Sequence, residues 1–329
     1  TIGCSLLPTF GKVMYDTLNF WLPRSEVGNI SLSDVGNRLA NAKEMTNCET
    51  GELWMYGDID NLKVTASIAG VSVKGSLARF FLPDNTYTLT RNMVKDAIEK
   101  LSDTVGMPLN RANVTRMDVS TNFIMKYNAG QYFNVLGGAS NFKRFLMGKE
   151  TLYYLNRGKV PMRAMSFYDK ARETANNGKT LPDVFKDSNL LRYESRWVSR
   201  LPRQLKEPEV KGSTLCDRRF YSKVVNLWAD SYFKIEKSNN LNMEDLEKVK
   251  TVSDAFNYLC ATALNKLGKE EITDIMEAMK SRKVFNDPKY YTRLKEKLRT
   301  VTNGIKFAST NELVKELDGE VRQVLAYKR

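Results

Sequence analysis

Polar and apolar residues alternate along three short stretches of the chain, 115–120, 162–170 and 191–197. Side chains of a strand point to opposite faces with period two, so each stretch is expected to be a strand with one apolar face. In the first, Arg116, Asp118 and Ser120 oppose Met117 and Val119. In the second, Ser166, Tyr168 and Lys170 oppose Met165 and Phe167. In the third, Arg192, Glu194 and Arg196 oppose Leu191, Tyr193 and Trp197. If the apolar faces share one core, the other face gathers a tyrosine, two carboxylates, a lysine and three arginines.

The same patterning predicts the rest of the chain. Strands are expected over 14–22, 53–56, 62–68 and 71–81, and a helix over 32–45 capped by Ser33. A turn at Pro83 precedes a helix over 91–101, capped by Thr90, with Met93, Ile98 and Leu101 inward. A strand over 114–125 carries the first motif, and a short helix follows over 130–136. Strands over 145–147 and 151–155 lead to the turn 156–159, which makes 151–155 and 162–170 a hairpin. Its tip bears Arg157, Lys159 and Arg163, which reads either as a DNA-facing loop or as an ordinary solvated turn. Beyond Pro208 the period becomes helical, with helices near 216–237, 243–267, 269–280, 288–299 and 310–326. The expected class is α+β. A sheet-based catalytic domain of antiparallel strands with flanking helices occupies 1–206, and a smaller, mostly helical domain occupies 207–329, for DNA binding or oligomerisation.

Charge sharpens this picture. The chain has 51 Lys+Arg against 38 Asp+Glu, a net of +13. Residues 201–329 hold 25 basic and 19 acidic residues (net +6), so the excess is spread over folded parts and suits a polyanionic partner. There is no histidine, which excludes a Ser-His-Asp triad, a His-paired cysteine nucleophile and any His-ligated zinc. Any metal must then be held by carboxylates, which favours Mg²⁺ or Mn²⁺. Cys4, Cys48, Cys216 and Cys260 are far apart and fit no CxxC pattern, so they are expected to be buried or free thiols of a reducing compartment. No apolar run reaches membrane-spanning length, and the protein is expected in the cytoplasm.

A tyrosine is able to attack phosphorus and hold a DNA end as a phosphotyrosine. Its ordinary pKa is about 10, so Tyr168 needs positive charge nearby, and Lys170, Arg116, Arg192 and Arg196 are placed to supply it. The competing role is a structural tyrosine with a satisfied hydroxyl. Asp118 and Glu194 either anchor a salt-bridge network with the arginines or hold one divalent ion. A third metal ligand would come from Glu173, Asp169, backbone or water.

The ordered set Arg116-Met117-Asp118, Tyr168-Asp169-Lys170 with Glu173, and Arg192-Tyr193-Glu194-Ser195-Arg196 resembles the replication initiators of the gene II/gene X family of filamentous phages and related plasmids. It is also similar to the Rep-trans plasmid initiators, and residues 151–154 fit the strand before the tyrosine in both. The resemblance covers roughly 110–206. It implies a metal-dependent DNA nickase and ligase that starts rolling-circle replication through a 5′-phosphotyrosine, with Tyr168 as nucleophile and Asp118 and Glu194 at the acidic positions. In this reading Lys170 and Arg116 assist catalysis, while Arg192, Arg196, Arg163, Lys159 and Arg157 hold DNA. The expected partners are a double-stranded origin, single-stranded DNA, a host helicase and a second copy of the chain. The alternatives are a non-catalytic DNA-binding protein of a plasmid or phage (copy control or partition) and a nuclease using carboxylates and water.

Overall fold

The computed structural model describes residues 12–28, 31–148, 150–158, 162–237, 247, 249–267, 269–304 and 312–327. Its strands are β1 (Met14–Pro23), β2 (Ala40–Thr46), β3 (Leu53–Ile59), β4 (Leu62–Ser67), β5 (Gly70–Ser76), β6 (Asn113–Met125), β7 (Leu136–Ala139), β8 (Phe142–Met147), β9 (Thr151–Asn156), β10 (Arg163–Asp169), β11 (Asn189–Trp197) and β12 (Ile235–Lys237). Ten of them form the central sheet in the order β2-β3-β4-β5-β1-β6-β11-β10-β9-β8, antiparallel at every pairing. A second sheet pairs β7 with β12. The three motif strands lie side by side as β6, β11 and β10. Their polar residues are in register: Asp118 faces Arg196, Ser120 faces Glu194, and Arg192 faces Tyr168.

The apolar side of this sheet is the core. Phe167 stacks on Tyr193 with ring centroids 4.5 Å apart and planes within 6°. Trp228, from the helix Arg218–Phe233, closes on Tyr193 at 4.8 Å. That helix starts because Asp217 accepts a hydrogen bond from the Phe220 amide, and it buries Phe220, Val224, Val225, Trp228 and Tyr232 along one face. Leu317, Val321 and Val324 of the helix Glu312–Ala326 join the same core. Elements after residue 206 are helical apart from β12, as the change of period implies. Two of those helices complete the sheet's own core, so 206/207 marks a change of element type within a shared interior.

Several boundaries differ from the sequence expectation. The helix foreseen over 32–45 is only Leu32–Gly36, with Ser31 in place of Ser33 as its N-cap and Asp34 completing a capping box. The rest is edge strand β2, whose residues are all exposed, so it carries no apolar alternation to betray it. The region 71–81 is strand only to Ser76, whose hydroxyl caps the helix Leu77–Phe81. The helix after Thr90 runs to Val105, and its inward residues include Val94 and Ala97, whereas Met93 is only partly buried. Part of the helix foreseen over 243–267, and the start of that over 310–326, fall outside the described residues. Cys48, Cys216 and Cys260 are free thiols. Among the described residues no helix is long and apolar enough to cross a membrane.

Candidate active site

Strand parity carries Tyr168, Glu194, Asp118, Arg196 and Arg116 to the sheet face away from the core. The Tyr168 hydroxyl lies 3.5 Å from Oε2 of Glu194, one strand away. Arg196 bridges the two carboxylates: Nε donates to Asp118 (3.0 Å) and Nη2 donates to Glu194 Oε1 (2.8 Å). Arg116 grips both oxygens of Asp118, Nε donating to Oδ1 (2.9 Å) and Nη2 to Oδ2 (2.5 Å), the oxygen that Arg196 also holds. Both carboxylates are buried, whereas the Arg116 and Arg196 side chains keep 28% and 31% of their surface exposed. An approaching phosphate therefore meets guanidinium groups first and carboxylates behind them.

The electrostatics follow from this burial. Desolvation pushes the Glu194 carboxyl above its ordinary value, and the charge on Asp118 adds to the push against Arg192 and Arg196. Burial would lower Arg196, but Asp118 and Glu194 outweigh it and hold the guanidinium charged. Tyr168 departs from expectation. Burial raises its hydroxyl well above 10, and Arg192 opposes that without reversing it. A neutral tyrosine beside a carboxylate of raised proton affinity needs a proton acceptor, and Glu194 is in place to be one.

Other expected residues sit elsewhere. Arg192 is completely buried and reaches no DNA-accessible surface. Its Nη2 bonds Asp16 and Ser120, and its Nη1 bonds the Asn85 carbonyl and Asn122. Lys170 is not on the strand, which ends at Asp169. It opens the helix Lys170–Asn176 and points its ammonium at Asn85 (3.0 Å) and Glu173 (2.6 Å). Arg163 shares parity with Met165 and Phe167, so it faces the core side, where it bonds Ser231 at 2.7 Å and lies over Trp197. Arg157 is exposed and pairs with Asp274. Lys159 lies outside the described residues. Of the alternative tyrosines, Tyr193 and Tyr154 point into the core, bonding the carbonyls of Trp228 and Gly137. Tyr153 shares the Tyr168 face and stacks on Phe145 at 5.4 Å.

Asp16 is the functional neighbour that strand parity hides. Tyr15 pairs with Val119 and Leu18 with Met117, so Asp16 and Thr17 together oppose the single residue Asp118. This bulge breaks the period of two and turns Asp16 toward Arg192. An acid at a position of core parity in an apolar strand was its only signal.

A divalent ion suits this donor set. Asp118 and Glu194 are hard oxygen donors close enough for one to raise the other's proton affinity, and a cation, the Arg196 guanidinium, already lies between them. Among the described residues no three acidic or thiol side chains converge on one point, so water or substrate oxygens would complete the shell.

Residues 14–231 match the Phage CRI family, described as the N-terminal part of a replication-associated protein. No curated protein matches the chain. Among solved structures, the chain is similar to a rolling circle replication initiator protein from Geobacillus stearothermophilus, at 13% identity and a TM-score of 0.38, over 74% of this chain and 90% of that one.

Proposed function

This chain belongs to the Phage CRI family of replication-associated proteins, and on that footing we propose that it initiates rolling-circle replication by nicking and rejoining DNA at an origin. The observation that supports the reading best is the 3.5 Å approach of Tyr168 to Glu194 on an open sheet face lined by Arg116 and Arg196. Arg116 and Arg196 receive the scissile phosphate and stabilise the charge that builds on its oxygens. The Tyr168 oxygen attacks phosphorus, and its proton passes to Glu194. The bond from phosphorus to the preceding 3′ oxygen breaks, that oxygen takes a proton from water, and the hydroxide so formed takes up the proton held on Glu194. The 5′ end stays on Tyr168, and the free 3′ hydroxyl primes synthesis. Attack of a 3′ hydroxyl on the phosphotyrosine reverses the step and reseals the strand.

Asp118 and Glu194 would hold Mg²⁺ or Mn²⁺, with Arg196 turned outward to the phosphate. The ion would polarise a non-bridging phosphate oxygen. Arg192 and Asp16 act from beneath, as a buried pair that fixes β11 and β1 below the tyrosine. The experiment is incubation of the full chain with an origin-containing single strand and Mg²⁺. A protein–DNA adduct is expected. Specific binding without any adduct or cleavage would favour the non-catalytic reading.

A further inference from the structure

The sheet face that holds Tyr168 does not stop at β6. The register carries it four strands further, through β1, β5 and β4 to β3. Arg116 faces Asn19, Asn19 faces Lys74, Ser72 faces Trp21, Thr65 faces Ser72, and Trp54 and Tyr56 face Ser67 and Thr65. This wing spans about 20 Å at the ordinary strand spacing. It presents three aromatic rings on the outer side, Trp21, Trp54 and Tyr56, each partly exposed. Leu22, Val64 and Val73 on the same strands are buried beneath. A cluster of partly exposed aromatic rings rimmed by polar residues marks an interaction surface.

The rings are arranged for flat partners. Trp54 and Tyr56 lie with planes within 11° of each other and centroids 6.3 Å apart. With Trp21 they line an open groove of about 400 Å³ that includes Ser72, Lys74 and Thr115. Gly70 keeps the groove floor clear, because a Cβ there would crowd the Trp21 ring at 3.0 Å and collide with the Leu22 carbonyl. Among the described residues no hydrogen bond holds the polar atoms of these three aromatics. The short helix Leu32–Gly36 packs under Met55, on the opposite face. Lys43, cross-strand from Tyr56, and Lys74 make no ion pair among the described residues.

We propose that this wing is a base-stacking platform for single-stranded DNA, leading the strand to Tyr168. The inference rests on the nicking reading for its direction but not for its chemistry. The aromatic faces at one end, Lys43 on edge strand β2 and Lys74 on β5, and the arginine-lined centre at the other end lie on one face of the sheet. Stacking accepts any base, so the platform would grip the strand on one side of the scissile phosphate without reading its sequence. A duplex keeps its bases paired and cannot use the rings.

The test exploits the four tryptophans of the chain. Trp197 and Trp228 are buried, so quenching by added DNA reports on Trp21 and Trp54. A 20-nucleotide oligothymidylate is titrated into the full chain carrying Tyr168→Phe, which separates binding from cleavage. Saturable quenching is expected, with none from a duplex of the same length. The double substitution Trp54→Ala with Tyr56→Ala should weaken single-strand binding by about tenfold or more. The exposed pair Lys43→Gln and Lys74→Gln, which leaves the rings in place, should lower the salt dependence of binding by about two phosphate contacts. Unchanged emission on binding, equal quenching by duplex, or unchanged affinity in both double variants would overturn the platform. Absence of nicking by the unsubstituted chain, with quenching intact, would count against the catalytic reading and leave the platform standing.

Discussion

The Tyr168 hydroxyl is directed at Glu194 Oε2 across one strand spacing, 3.5 Å away, on the side of the sheet opposite the core. Burial raises the proton affinity of both groups, so the resting pair is a neutral tyrosine beside a carboxylate prepared to take its proton. Glu194→Gln keeps the shape and removes both the proton acceptor and one anionic donor proposed for the metal. The rate of covalent product formation should fall by roughly 10²–10⁴, with oligonucleotide binding retained. A near-normal rate would assign the proton to another group.

Arg196 bridges Asp118 and Glu194, the two carboxylates proposed above to hold the metal. Manganese binding, read from the loss of the free-ion electron paramagnetic resonance signal, should disappear in Asp118→Asn. Arg196→Ala removes the competing guanidinium and should tighten Mn²⁺ binding by about tenfold or more, the worth of one charge-assisted hydrogen bond of roughly 1.5–3 kcal/mol. The same variant should cleave more slowly, because the phosphate loses a donor. Weaker Mn²⁺ binding in Arg196→Ala would mean that the arginine supports the ion and does not compete with it.

The buried pair of Asp16 and Arg192 is predicted to govern acid stability. Burial pushes Asp16 up, but Arg192 and Ser76 pull harder, and its folded value ends below the ordinary one. A depressed carboxylate contributes stability that is present above the unfolded value of about 3.9 and lost as pH falls through the folded value. Asp16→Asn leaves Arg192 buried and uncompensated, at a cost of about 3–5 kcal/mol at pH 7. The gap to wild type in urea denaturation should shrink below about pH 4. A gap that stays constant with pH would show that the pair contributes little through its charge.

Much of this was readable in the sequence. Period two placed Asp118, Glu194 and Tyr168 on one face because β6, β10 and β11 are regular through those residues. The same rule put Tyr193 inside, and the structure places it there. What parity could not give was the order of strands, which makes neighbours of residues 74, 19 and 116, and the bulge that brings in Asp16. Long basic side chains misled the reading for a related reason. Arg192 has the right face, but its guanidinium turns into the sheet to meet Asp16, and Arg163 is on the wrong face by its own parity. Lys170 was lost at the strand end, where Asp169 accepts the Arg172 amide and starts a helix. Edge strand β2 and the Trp54–Tyr56 wing carry no motif, and only the assembled sheet shows that they extend the tyrosine's face.

The tyrosine inside the motif Arg-Tyr-Glu-Ser-Arg serves structure. The Tyr193 hydroxyl donates to the Trp228 carbonyl at 3.0 Å, deep under the sheet. Tyr193→Phe should cost about 1 kcal/mol of stability and leave covalent product at the wild-type level. Loss of that product in a folded Tyr193→Phe protein would break the assignment of faces.

The central claim is that Tyr168 forms the covalent bond to DNA. Its direct test is mass spectrometry of the peptides left after an origin-containing single strand, Mg²⁺ and the full chain have reacted. The account predicts one nucleotide-bearing peptide, with the adduct on Tyr168, and no adduct at all from Tyr168→Phe, whose ring still packs while no other oxygen sits at the reacting position. An adduct on Tyr153, the other tyrosine of this face, or an adduct that persists in Tyr168→Phe, would contradict it.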